Sequence, residues 1–149
     1  SETPTARPGD VLMNIVGPPL GKVAVVSDHF YEWTFNQALT LFRPSERVTT
    51  EWLYVVLCSG IPYEEILMQT RGSAGQSNIS LTQCREMLLP VPPVGEQAEI
   101  VRRVESVLEK HGVSLLPEQE LDADNAVDQT APPPMFCVCS IATTRDRGA

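Results

Sequence analysis

Arg71-Gly72-Ser73-Ala74-Gly75-Gln76-Ser77-Asn78 places a guanidinium, two hydroxyls and two side-chain amides within one short stretch, and its glycines leave the backbone free to bend. An arginine can fork onto the guanine edge, Gln or Asn can pair with adenine, and Ser or a bare amide can bind a phosphate oxygen. Arg71, Ser73, Gln76, Ser77 and Asn78 therefore form a candidate DNA-reading set. The same residues would also suit a polar surface loop that only leads to a helix cap at Ser80. Lys22 closes the loop Gly17-Pro18-Pro19-Leu20-Gly21-Lys22, which is one residue short of a phosphate-cradling nucleotide motif and has Val23 where a metal-binding Ser or Thr would stand. No nucleotide site is expected there; Lys22 is either a phosphate contact at a loop tip or a lysine pointing into water. Asn36 and Gln37 interrupt an apolar run, so at least one faces away from the core, as a base contact or as a structural hydrogen bond.

Enzymatic chemistry finds little support. His29 and His111 are the only histidines, and no nucleophile elbow or metalloprotease helix is present. Cys58 falls in an apolar helical pattern and reads as core, whereas Cys84 is a candidate reactive thiol with no base nearby to activate it. The four cysteines, Cys58, Cys84, Cys137 and Cys139, have neither zinc-ligand nor disulfide-framework spacing, and a reducing cytoplasm suits them. No metal is expected. The chain carries 149 residues with a net charge of −8, which excludes a generically basic nucleic-acid binder and requires any DNA contact to be a local patch. No uninterrupted apolar run is long enough for a membrane helix.

The elements that would position these side chains are legible in part. Val11–Val16 and Val23–Val26 read as a hairpin around the Gly17–Lys22 loop, and Phe35–Phe42 reads as a third strand stopped by Pro44. A helix follows, capped by Thr49 or Thr50 and ended by Ser59-Gly60. Ser80 and Gln83 match a capping box, so a short helix is expected to start there. From Glu96 to His111 the positions Ile100, Val101, Val104, Val107 and Leu108 recur at helical steps and form one apolar stripe, stopped by Gly112. That stripe is the candidate partner-docking face. Residues 112–149 hold two basic and six acidic groups and three consecutive prolines, and are expected to be a largely disordered acidic tail. The expected fold is α+β, a small mixed sheet with short packed helices, over residues 1–93, followed by the amphipathic helix of 94–111.

The order of these motifs resembles the specificity subunit of type I restriction-modification enzymes. The likeness runs from about residue 9 to 109: Gly9-Asp10-Val11-Leu12, Gly21-Lys22-Val23-Ala24, Asn36-Gln37, the Trp52–Ser59 helix, Arg71-Gly72-Ser73 to Asn78-Ile79-Ser80, and Pro92-Pro93 to Glu96-Gln97-Ile100-Val101. The resemblance implies a non-catalytic module in which residues 9–93 form the C-terminal part of a target recognition domain reading part of a split site on double-stranded DNA. The helix after Pro93 would begin the spacer that docks the methyltransferase subunit, a second recognition domain or a second copy of the chain, with the motor-nuclease subunit reached indirectly. S-adenosylmethionine, ATP and Mg would reside on partner subunits only. The family also carries a stretch before the Gly-Asp strand, a longer spacer and a second recognition domain, so a fragment or truncated product is expected. The competing expectations are an interaction remnant without autonomous DNA reading, and a small thiol enzyme using Cys84.

Overall fold

The computed structural model describes residues 5–17, 20–28, 34–35, 37–70 and 78–115, and the backbone of 137–139. Strands β1 (Val11–Asn14) and β2 (Val23–Val25) form the expected antiparallel hairpin, with Val11 opposite Val25 and Met13 opposite Val23. β3 (Leu39–Phe42) lies antiparallel on the other side of β1, with Val11 opposite Phe42. It is shorter than the Phe35–Phe42 run predicted, because Gln37 and Ala38 turn the chain into it instead of extending it. The order is β2-β1-β3-β4, where β4 (Cys137–Cys139) adds in parallel to β3 and makes the sheet mixed. β4 falls inside the tail from which no strand was expected: the outer edge of β3 offers unpaired backbone groups, and a short Cys-Val-Cys run can satisfy them. The rest of the tail beyond Leu115 lies outside the described residues.

Alternation along β1 divides the core between the two faces of the sheet. Val11, Met13 and Ile15 join Phe42, Trp52, Leu53 and Leu57 in the main cluster under the helices, while Leu12 packs on the opposite face with Ala6, Val26, Phe35 and Leu41. Helix α1 (Thr50–Ser59) supplies the helical side of the main cluster. Its cap is Thr49, whose hydroxyl accepts from the Trp52 amide at 3.2 Å, and Gly60 at φ +76° ends it. A 3-10 turn (Ile61–Tyr63) and helix α2 (Glu64–Thr70) follow; neither was expected. Pro62 sits in the first turn of the 3-10 segment, where its missing N–H is not needed, and Glu64 and Glu65 suit the start of α2. Helix α3 (Leu81–Glu86) carries both halves of the Ser80–Gln83 capping box.

Helix α4 (Val94–Glu109) begins just after Pro93, two residues ahead of the apolar period read from Glu96, and Gly112 at φ +71° follows its end. Its attachment depends on Gln97, a fully buried side chain. The Gln97 oxygen accepts from the Thr49 amide at 3.1 Å, and its nitrogen donates to the carbonyls of Arg47 at 2.6 Å and Pro92 at 2.8 Å. Trp52 adds a bond from its indole N–H to the Pro90 carbonyl at 2.8 Å. At the other end of the sheet's entry, Asp10 is buried and receives Arg43 through two guanidinium bonds, at 3.0 and 2.8 Å, together with the Arg7 amide at 2.8 Å. The solvent side of α4 carries Glu99, which accepts from both Arg102 and Arg103; these hydrogen bonds lower its carboxyl to about 2.

Two outcomes follow from this geometry. Replacing Gln97 with Leu keeps similar bulk but leaves one amide and two carbonyls without their partner, and is expected to cost about 3 kcal/mol in urea unfolding. The Glu99 carboxyl, followed by NMR, should titrate near 2. Because its folded-state value lies below the ordinary 4.5, whatever stability it adds is present above 4.5 and is lost as the pH falls through about 2.

Candidate nucleic-acid interface

The end of β1 is a junction for three segments far apart in sequence. The Asn14 amide donates to the Lys22 carbonyl at 2.9 Å, and the Gly21 amide returns a bond to Asn14 at 3.0 Å, which closes the β1–β2 loop. One residue on, the Ile15 amide donates to the Ala38 carbonyl at 2.8 Å and so pins the turn that contains Gln37. The Ile15 carbonyl in turn accepts from Ile79 at 2.9 Å, and Val16 forms an antiparallel bridge with Asn78. Ile79 is buried in the main core, so Asn78 beside it is held by packing as well as by the bridge.

Lys22, Gln37 and Asn78 are thus brought to one end of the sheet, and all three are exposed. Gln37 presents its amide from a turn and not from the strand assigned to it by sequence. Asn36, Arg71, Ser73, Gln76 and Ser77 lie outside the described residues. Asn78 marks the point where the chain leaving the Arg71 segment joins the fold. The arrangement offers one ammonium and two amides at the rim, donors suited to phosphate oxygens and base edges.

The loop that ends at Lys22 has a seat that sequence inspection missed. Gly21 adopts φ +79°, and a Cβ there would stand 2.5 Å from the Tyr63 hydroxyl. Tyr63 is itself buried and donates from that hydroxyl to the Leu57 carbonyl at 3.1 Å. A glycine is therefore required by both conformation and space. Contacts from that position to Tyr63 Cζ and Cε2 at 3.0 and 3.1 Å put the hydroxyl end of the Tyr63 ring against the loop.

The predicted docking stripe is divided along α4. Val101 is buried and Ile100 packs against the same main cluster, so these two serve the domain's own core and correct the reading of a stripe offered whole to a partner. Val104 and Leu108 are half-buried, and Val107 is 56% exposed. The cysteine expectations reverse. Cys84 is buried with 4% exposure, which removes it as an accessible nucleophile, while Cys58 is exposed on α1. Partial loss of solvent pushes the Cys58 thiol above its ordinary value, against a lowering from its hydrogen bond with Tyr54, so its thiolate is not favoured. Among the described residues no helix is long and apolar enough to cross a membrane, and no group of three or more His, Cys, Asp or Glu could hold a metal ion.

Comparison with known proteins agrees with this architecture. The family described as the type I restriction modification DNA specificity domain matches residues 6–113. The specificity subunit of the type I restriction enzyme EcoBI from Escherichia coli is 25% identical over 101 residues, covering 68% of this chain and 21% of that subunit. A solved chain from work on complex assembly and conformational transition of the type I R-M system is alike in fold, with a TM-score of 0.55 and 23% identity over 75% of this chain and 26% of the other. The chain spans about a fifth of the curated relative and about a quarter of the solved one.

The seat of the Lys22 loop can be tested by substitution. Gly21→Ala is expected to destabilise the domain by about 2 kcal/mol through the left-handed φ and the Tyr63 clash. Adding Tyr63→Phe should recover only part of that in thermal unfolding, because the ring carbons and the backbone strain remain.

Proposed function

The chain belongs to the family of type I restriction modification DNA specificity domains, and on that premise we propose that it reads part of a split target on double-stranded DNA with the end of the sheet where β1 stops. The observation that carries this reading is the convergence of Lys22, Gln37 and Asn78 on Asn14–Val16 through backbone hydrogen bonds. Lys22 contacts a phosphate and fixes position. Gln37 and Asn78, with Asn36, Arg71, Ser73, Gln76 and Ser77 assigned from sequence, supply contacts to base edges and further phosphates.

In this reading the chain is non-catalytic and works in the cytoplasm. Its α4 helix docks the methyltransferase subunit through the distal part of the stripe, Val104, Val107 and Leu108, because the proximal part is occupied by the core. A second recognition domain or a second copy of the chain could meet the same face, and the restriction subunit is reached through the methyltransferase. S-adenosylmethionine belongs to the methyltransferase subunit, and ATP and Mg to the restriction subunit. A second reading, an interaction remnant that does not read DNA by itself, is favoured by the net charge of −8.

Duplex binding measured across a salt series separates these readings. Lys22→Ala should weaken binding evenly across sequences and reduce the log–log salt slope by about 1. Arg71→Ala should instead cost about 1–3 kcal/mol on the preferred sequence and relax discrimination. A salt-independent signal, or no change in DNA retention by the assembled complex with Arg71→Ala, overturns the reading surface. Unchanged capture of the methyltransferase subunit by Val104→Asp overturns the docking helix.

A further inference from the structure

A cleft of about 520 Å³ lies between the 3-10 turn with α2 on one side and α3 with the residues after it on the other. Its apolar lining includes Ile61 and Leu88, and its carboxylates are Glu64, Glu65 and Glu86; among the described residues no lysine or arginine lines it. Arg85, adjacent on α3, is exposed but outside the lining. The three most exposed large apolar side chains among the described residues are Leu88 at 75%, Ile61 at 70% and Met68 at 60%. Two of them line this cleft, and Met68 is one turn along α2 from Glu64. Apolar surface concentrated in this way and rimmed by charge of one sign is the pattern of a protein contact.

We infer that the cleft is a docking groove for a partner protein segment that carries Leu-, Ile- or Met-type side chains flanked by Lys or Arg. Three carboxylates with no cation among the described lining residues repel phosphate, which sets this surface apart from the rim at Lys22 and makes a cationic occupant the complementary one. Its apolar side chains would cover Ile61 and Leu88 while its cations meet Glu64, Glu65 and Glu86. The walls have a second property: α2 ends at Thr70 and α3 begins at Leu81, so they are the elements on either side of the Arg71–Ser77 segment. An occupant would hold both stems of that segment together. This consequence rests on the DNA-reading proposal, whereas the docking itself does not.

The test uses the full chain with two labelled amphipathic helical peptides, one of Leu and Lys and one of Leu and Glu, read by fluorescence anisotropy. The Leu/Lys peptide should bind. Glu64→Lys with Glu86→Lys should weaken it at least about tenfold and turn preference toward the Leu/Glu peptide, while Glu105→Lys with Glu109→Lys on α4, the same change in net charge, should alter it by less than about twofold. Leu88→Ser should also weaken binding, and each variant should unfold near the wild-type temperature because Glu64, Glu86, Leu88 and Glu109 are exposed and Glu105 is only half-buried. Amide shifts caused by the peptide should map to residues 61–69 and 83–88. Equal losses from the cleft and α4 pairs, or the same shifts produced by a DNA duplex, would overturn the groove. Loss of DNA binding in Lys22→Ala with peptide binding intact would leave it standing, so the two proposals fail separately.

Discussion

The side-chain amide of Gln97 holds three parts of the chain in one place: the cap of α1 through Thr49, the preceding turn through Arg47, and the extended entry to α4 through Pro92. A buried amide is tolerable only when both its ends are satisfied, and here the one oxygen and two N–H groups all find backbone partners. Few other side chains could do this. Glu lacks the two donors, Leu lacks every polar atom, and Asn is one methylene shorter. The three bonds therefore fix where α4 leaves the domain and in which direction, and that direction decides which side of the helix falls on Trp52 and which is left for solvent. Val101, one turn after Gln97, is buried as a consequence, and by Val107 the stripe has left the shelter of the body.

A comparable constraint acts at the other end of β1. The last residues of that strand have three sets of backbone bonds, to Lys22, Ala38 and Ile79, and each belongs to a different loop. Surface loops usually owe their placement to their own turn chemistry. Here the strand's own amides and carbonyl determine it, and the burial of Ile15 and Ile79 beneath keeps the strand from shifting register. The Tyr63 ring does the same for the Gly21 turn from below. Side chains presented on such anchored loops lose less freedom on meeting a ligand than they would on free ones, which favours recognition.

What could be read from the sequence was local. The hairpin, the Thr49 cap, the Ser80–Gln83 box and the apolar period of α4 each involve residues a few positions apart, so their chemistry is visible in the order of letters. The pairing of Asp10 with Arg43 is 33 positions apart and of Gln97 with Arg47 is 50, and nothing in either neighbourhood announces its partner. Gln97 stood in one of the segments that carry the family resemblance, yet in a helical pattern it looks like an ordinary solvent residue. The 3-10 turn and α2 went unpredicted because no sequence signal at Pro62 distinguishes a proline in the first turn of a helical segment from one in a loop. Cys58 and Cys84 exchanged places for a related reason: each sits in an amphipathic context, and only the tertiary packing decides which face is covered.

The distribution of charge over these surfaces constrains how such a module works. The exposed Arg102 and Arg103 are engaged by Glu99, and the half-buried Arg43 is committed to Asp10. Among the residues that reach the end of β1, Lys22 is the one cation in the described part, and Arg71 lies on the segment that enters there. A chain of net charge −8 with so few cations at the proposed reading rim gains little from counterion release, the term that dominates indiscriminate binding to DNA. On the proposed reading, affinity for a duplex would come from base-edge contacts and from partners that bring their own positive surface. If the chain reads DNA as proposed, it would contribute discrimination to an assembly while leaving the grip to other subunits, and its acidity would suppress binding at the many sites that do not match.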